Sequence, residues 1–243
     1  METEQLRAEA KDAVAHFWGT RQLQAKKQAG SGKADKGARA AVTGGAQMDG
    51  FVSLFAKIIE QGGVPSSAIF RKKAIELPGF FRPTKEWDLL VVLDGQLLLV
   101  LEAKSQIGPS FGNNFNNRTE EAMGSALDLW TAFREGAFNK SIRPWLGYLM
   151  LLEDCEGSRT PVKVAEPHFK VFKEFRNASY AKRYELFCRK LMREGHYSST
   201  CFLASEATSG LHGDYVEPSS DLTLTAFAAS LSAHVQTHAG RKL

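Results

Sequence analysis

The stretch Trp87-Asp88-Leu89-Leu90-Val91-Val92-Leu93-Asp94-Gly95-Gln96-Leu97-Leu98-Leu99-Val100-Leu101-Glu102-Ala103-Lys104 decides the architecture. Two continuous apolar runs, Leu89 to Leu93 and Leu97 to Leu101, flank Asp94-Gly95, a dipeptide suited to a tight hairpin turn. Runs without polar alternation belong to strands covered on both faces, so this hairpin lies inside a domain. Asp88 precedes the first run, and Glu102 and Lys104 follow the second. An unpaired charge in an apolar strand is costly, so three charges at the end of a buried hairpin need a partner or a task.

Parity decides whether the three can meet. Glu102 and Lys104 are two residues apart on a strand and share a face. A plain two-residue turn at Asp94-Gly95 places Leu101, not Glu102, opposite Asp88 and sends the carboxylates to opposite faces. A three-residue loop or a single bulge restores the match. A catalytic reading therefore predicts a hairpin that is not a plain two-residue one. With parity right, Asp88 and Glu102 offer hard oxygen ligands to Mg²⁺. The backbone carbonyl of Ala103 is a further candidate ligand. Lys104 then presents a cation to a scissile phosphate and its attacking water. Glu60, near the end of an upstream helix, is a candidate additional acid, reaching the metal or contacting Asp88 through water. The alternative for the same residues is a salt-bridged strand end, with Glu102 pairing to Lys104 or Lys85.

Outward from the hairpin, residues 4 to 28 read as a helix, with Leu6, Ala10, Ala13, Val14, Phe17 and Trp18 at helical spacing. A flexible basic loop at 29–40 follows, and its Lys33, Lys36 and Arg39 are candidates for phosphate contacts. Asp49 to Gln61 reads as a helix stopped by Gly62-Gly63. Gly108 to Arg118 is polar and rich in Gly and Asn, and reads as a loop. A helix from about Thr119 to Glu135, a strand from Trp145 to Glu153, and a basic amphipathic helix from Tyr180 to Glu194 come next. A short strand from Ser198 to Ser205 and a helix from Asp221 to Val235, with Asp221 as N-cap, complete the pattern. The elements form one α/β or α+β domain over 1–243, with an N-terminal helical segment at about 1–45.

Composition narrows the classes. At 243 residues and 43% hydrophobic, the chain can bury a sizeable core. A net charge of +4 is mildly basic and compatible with a nucleic-acid partner. Three cysteines without a CxxC pair argue for a reducing cytoplasm and against a disulfide framework or zinc site. The opening Met1-Glu2-Thr3-Glu4 is not of signal-peptide type, and no run approaches the ~18 apolar residues of a membrane span. HExxH, Gly-x-Ser-x-Gly and Walker-type patterns are absent.

Trp87-Asp88 followed by Glu102-Ala103-Lys104 resembles the PD-(D/E)xK nuclease motif, with Trp87 where proline often stands. Three longer stretches resemble the type II restriction endonucleases of the XhoI family. They are Phe81-Arg82-Pro83-Thr84-Lys85-Glu86-Trp87-Asp88, Glu102 through Arg118, and Pro144-Trp145-Leu146-Gly147-Tyr148. The resemblance implies an α/β restriction-endonuclease-like core, a central mixed sheet flanked by helices. It further implies Mg²⁺-dependent cleavage of double-stranded DNA at the palindrome CTCGAG, leaving 5′-phosphates and cohesive ends. A palindrome implies a two-fold homodimer, and a cognate methyltransferase would be a functional rather than physical partner. Within this reading, Asn113, Asn114, Asn116, Asn117 and Arg118 are candidates for reading bases, since Asn pairs with adenine and Arg with guanine. Gln106 shares the Lys104 face and is a candidate for placing the phosphate or the loop. Two other functions fit the same residues: a repair or recombination nuclease recognising DNA structure, and a DNA-binding protein without chemistry.

Overall fold

A computed structural model describes residues 1–31 and 46–239 of the protein. The main helices are α1 (Thr3–Ser31), α2 (Asp49–Gln61), α3 (Phe111–Arg134), α4 (Tyr180–Arg193) and α5 (Leu224–Ala239). The strands are β1 (Ile69–Phe70), β2 (Glu76–Pro78), β3 (Thr84–Glu86), β4 (Leu89–Leu93), β5 (Gln96–Gln106), β6 (Trp145–Glu153) and β7 (Ser199–Ser205). Five of them form one sheet in the order β1-β4-β5-β6-β7, while β2 and β3 pair separately. β5 is antiparallel to β4 and parallel to β6, so the sheet is mixed. Helices α1, α2 and α5 cover one face and α3 and α4 the other, giving two cores separated by the sheet. That double cover is why β5, β6 and β7 are apolar on both faces. Among the described residues, no helix is long and apolar enough to cross a membrane, and the three cysteines are free thiols.

The hairpin carries the bulge that the parity argument requires. Leu93 pairs with Gln96 and Val92 with Leu97, a two-residue turn in which Asp94 (φ 50°) and Gly95 (φ 75°) both adopt positive φ. Gly95 takes that conformation without a Cβ penalty. The register then shifts: Val91 pairs with Leu99, which leaves Leu98 as the extra residue. Leu98 and Leu99 consequently both enter the core under α1, α2 and α5, while Leu97 and Val100 face the other way. The Leu98 carbonyl accepts a hydrogen bond from the His234 ring nitrogen of α5 at 3.0 Å.

Two helix starts differ most from the sequence reading. The Asn-rich segment is not a loop but the first turns of α3, which begins at Phe111. Phe111 and Phe115, one helical turn apart, pack against Tyr180 (5.7 Å) and Tyr184 (5.0 Å) of α4, and that packing outweighs the poor helix propensity of Asn and Gly. Gly112 suits the close approach, because a Cβ there would lie 2.9 Å from the Tyr180 hydroxyl. Asp221 does not cap the last helix. It pairs with Arg189 at 2.7 Å, and Thr223 Oγ1 accepts from Ala226 N at 3.2 Å just ahead of α5.

Candidate active site

Leu89 of β4 pairs with Leu101, so β5 runs on alone from Glu102 to Gln106 along that edge. Where β4 stops, a cleft of about 400 Å³ opens. Its walls include Asp88, Ala103, Lys104, Ser105, Arg118, Gln47 and Asp49. Continuing the register past Leu89 sets Asp88 opposite Glu102, on one face of the sheet. Asp88 N donates to the Leu101 carbonyl at 3.2 Å, and Asp88 Oδ2 accepts from Ala103 N at 2.7 Å. The Lys104 ammonium lies 3.1 Å from Glu102 Oε1 and 3.9 Å from Asp88 Oδ2. The structure therefore brings Asp88, Glu102 and Lys104 together.

It also brings in Lys85. From β3, its ammonium reaches Glu102 Oε1 at 2.9 Å and sits 4.2 Å from the Trp87 ring centroid. The salt-bridged strand end and the catalytic cluster are therefore the same cluster. Glu102 Oε2 faces the Tyr197 hydroxyl at 3.2 Å, which also lies 3.1 Å from the Ala122 carbonyl. Two lysines and two carboxylates balance to zero charge in a site where Glu102 keeps 2% exposure and Asp88 33%.

The environments separate the two acids. Burial pushes the Asp88 carboxyl above its usual range, and Lys104 and the Ala103 N–H recover only part of that shift. Burial alone would raise Glu102 too, but Lys104 and Lys85 together hold it below the usual range. Burial would lower Lys104, but Glu102 and Asp88 outweigh it and keep the ammonium charged. Asp88 is thus the acid that gains most from a further cation.

The donor set fits a hard divalent ion. Ala103 N–H points at Asp88, and strand geometry sends its carbonyl to the same side. Among the described residues, no three His, Cys, Asp or Glu side chains gather as a metal cage. Two carboxylates and a carbonyl leave most positions to water, which suits Mg²⁺ and not a structural zinc.

Other sequence candidates fall differently. Glu60 is exposed at the far end of α2, about 16 Å along the helix axis from Asp49. It does not reach the cleft; Asp49, at the near end, lines it and pairs with Lys72 at 2.8 Å. Gln106 is 3% exposed, and both ends of its side chain are engaged. Its Nε2 donates to the Phe111 carbonyl at 3.0 Å, and its Oε1 accepts from the Tyr184 hydroxyl. Of its two suggested uses, it holds the start of α3. Asn113, Asn116 and Asn117 are exposed, whereas Asn114 and Arg118 turn toward the cleft side. Lys33, Lys36 and Arg39 lie outside the described residues. The basic pairs of α4 are largely spent internally, on Lys182–Glu185, Arg189–Glu185 and Lys190–Glu194. Gln47, Asp49, Arg71 and Lys72 escaped sequence reading because nothing local ties them to the hairpin. Lys85 is the partner that the salt-bridged alternative gave to Glu102; it sits two residues before Trp87 on an extended segment, and so shares its face.

Residues 27–217 match the family model described as restriction endonuclease XhoI. The type II restriction enzyme BstVI of Geobacillus stearothermophilus is 56% identical over 214 residues, covering 86% of this chain and 95% of that protein. The type II restriction enzyme XhoI of Xanthomonas vasicola is 45% identical over 188 residues, 76% of this chain and 75% of that one. AbrI of Azospirillum brasilense, also a type II restriction enzyme, is 52% identical over 162 residues, 66% of this chain and 72% of its own. No solved structure matches this chain significantly. The matched span contains the whole hairpin with Asp88, Glu102 and Lys104, and on this sequence and geometry the chain belongs to the XhoI family of restriction endonucleases.

Proposed function

We propose that the chain is a Mg²⁺-dependent type II restriction endonuclease that hydrolyses double-stranded DNA at CTCGAG as a homodimer. The observation that carries this reading is the meeting of Asp88, Glu102 and Lys104 at one edge of β5, produced by a bulge that serves no plain hairpin. Asp88, Glu102 and the Ala103 carbonyl would hold the ion. Bound there, Mg²⁺ supplies charge neutralisation at the scissile phosphate and lowers the pKa of a coordinated water. Lys104 faces the same phosphate and stabilises the charge that builds on its oxygens. Glu102 keeps Lys104 charged and oriented, and Tyr197 fixes Glu102 from below. Water adds to phosphorus, the 3′-oxygen leaves with a proton, and the products carry a 5′-phosphate and a 3′-hydroxyl. A palindromic site supports a two-fold dimer with one centre per strand. The reading places the protein in the cytoplasm, with a cognate methyltransferase protecting host sites without binding it.

Plasmid digestion tests this. With Mg²⁺ the protein should yield discrete fragments whose ends map to CTCGAG, and with EDTA none. Discrete fragments ending elsewhere would correct the site alone. Diffuse or structure-dependent cutting would replace the reading with a repair-type nuclease. No cutting with any divalent ion would remove it.

A further inference from the structure

Beside the cleft lies a smaller recess of about 90 Å³. It shares Gln47, Ser105 and Arg118 with the cleft and adds Arg21, Asn114 and an apolar wall that includes Phe17. Among the described residues, no carboxylate lines it.

Several independent observations point to an anion. Arg118 and Lys104 line the same cleft, and two neighbouring cations repel unless negative charge lies between them. In the described structure Arg118 leans on Glu121 at 2.6 Å, a pair exposed enough to be weak and replaceable. Arg21, partly buried, adds a second guanidinium to the same recess. Gln47 is 8% exposed, and its side-chain oxygen has no hydrogen-bond partner among the described residues. A buried amide end normally has one, and turning the amide over would place an N–H donor there.

The strand sets the spacing. Ala103 N–H points toward the cleft, at Asp88. By alternation Ser105 N–H points to the same side, beyond the end of β4. Two residues of strand advance ~7 Å, the scale of one nucleotide step along a DNA backbone. We infer that this recess is a second phosphate seat, which takes the backbone phosphate next to the scissile one through Arg118, Ser105 and Gln47, with Arg21 behind them. The inference rests on the nuclease reading and sharpens it. Arg118 and Asn114 become residues that set the register of the DNA, and the reading of base edges falls to other groups.

The test uses the full-length protein and a duplex carrying the site mapped on plasmid DNA, with Ca²⁺ in place of Mg²⁺ to measure binding alone. Neutral methylphosphonates replace single phosphates, one at a time, on each side of the scissile position. At one adjacent position the wild-type protein should bind about 10-fold more weakly. Arg118→Ala should bind the unmodified duplex about 10-fold more weakly and show no further loss at that position. Its slope of log K against log salt should flatten by about one, equally for cognate and unrelated duplexes. Fully additive losses would overturn the proposal. So would an unchanged slope accompanied by lost discrimination at one base pair. A wild-type protein that cuts DNA but shows no loss at either adjacent position sinks the seat alone, whatever the variant's folding. A wild-type protein that cuts no DNA sinks the seat together with the nuclease reading.

Discussion

Glu102→Gln keeps the side-chain volume and removes one negative charge. The ammonium groups of Lys85 and Lys104, 2.9 and 3.1 Å from Oε1, would then face a neutral amide at a position that is 2% exposed. Breaking a fully buried ion pair costs about 3–5 kcal/mol; the two lysines keep 13% and 24% exposure, so solvent recovers part and leaves about 2–3 kcal/mol. For a chain of this length that lowers the melting temperature by about 4–12 °C. Asp88→Asn should behave oppositely. It removes a charge that burial disfavours, and its amide oxygen still accepts from Ala103 N. Its melting temperature should equal or exceed that of the wild type, although both variants should be inactive. The pH dependence has matching signs. Glu102 has a depressed folded pKa, so its contribution is present at neutral pH and lost as pH falls through that value. Asp88 has a raised one, so its penalty is present at neutral pH and relieved in acid. Metal-free melts followed by circular dichroism at neutral pH, and again near pH 4, check both signs. If Glu102→Gln melts with the wild type at neutral pH, the lysine-clamped carboxylate is wrong.

Deleting Leu98 should leave a plain two-residue hairpin, turn Asp88 to the other face and abolish cleavage, with a cooperative melt retained at a cost of ~2–5 kcal/mol; a folded deletion variant that still cuts would refute the parity argument. His234→Ala should cost about 1–3 kcal/mol by orphaning the Leu98 carbonyl. Burial lowers the His234 pKa below its ordinary 6.5, with Leu98 opposing and His238 adding to the shift. Its contribution is therefore full above that value and declines in acid, so the variant's stability should depend less on pH in that range, as read from melts across it. Glu60→Gln should leave cleavage unchanged in a plasmid assay, because the side chain is exposed and remote from the cleft.

The hairpin and its charges were legible because burial leaves few explanations for Asp88, Glu102 and Lys104, and because strand parity is arithmetic. Even the need for an extra residue could be read; that it is Leu98 could not, since four similar side chains, Leu97 to Val100, offer no local preference. The Asn-rich start of α3 was misread because its cause lies in α4: Phe111 and Phe115 are held by Tyr180 and Tyr184. Glu60 and Asp49 show the same limit. Sequence places both on one helix but does not say which end meets the cleft, a matter of how α2 docks on the sheet. Lys85 could be named from sequence as a partner of Glu102, but the short strand pair around Gly79 and Pro83 that carries it there is too brief for periodicity to reveal.

The most direct test of the centre compares two quantities in Lys104→Ala: single-turnover cleavage of the mapped duplex in Mg²⁺, and equilibrium binding of the same duplex in Ca²⁺. The cleavage rate should fall by at least ~10²–10³-fold, as for loss of a group that stabilises transition-state charge, while specific binding is largely retained. Cleavage near the wild-type rate, or a loss of binding that matches the loss of cleavage in an intact fold, would contradict the assignment of Asp88, Glu102 and Lys104 as the catalytic centre.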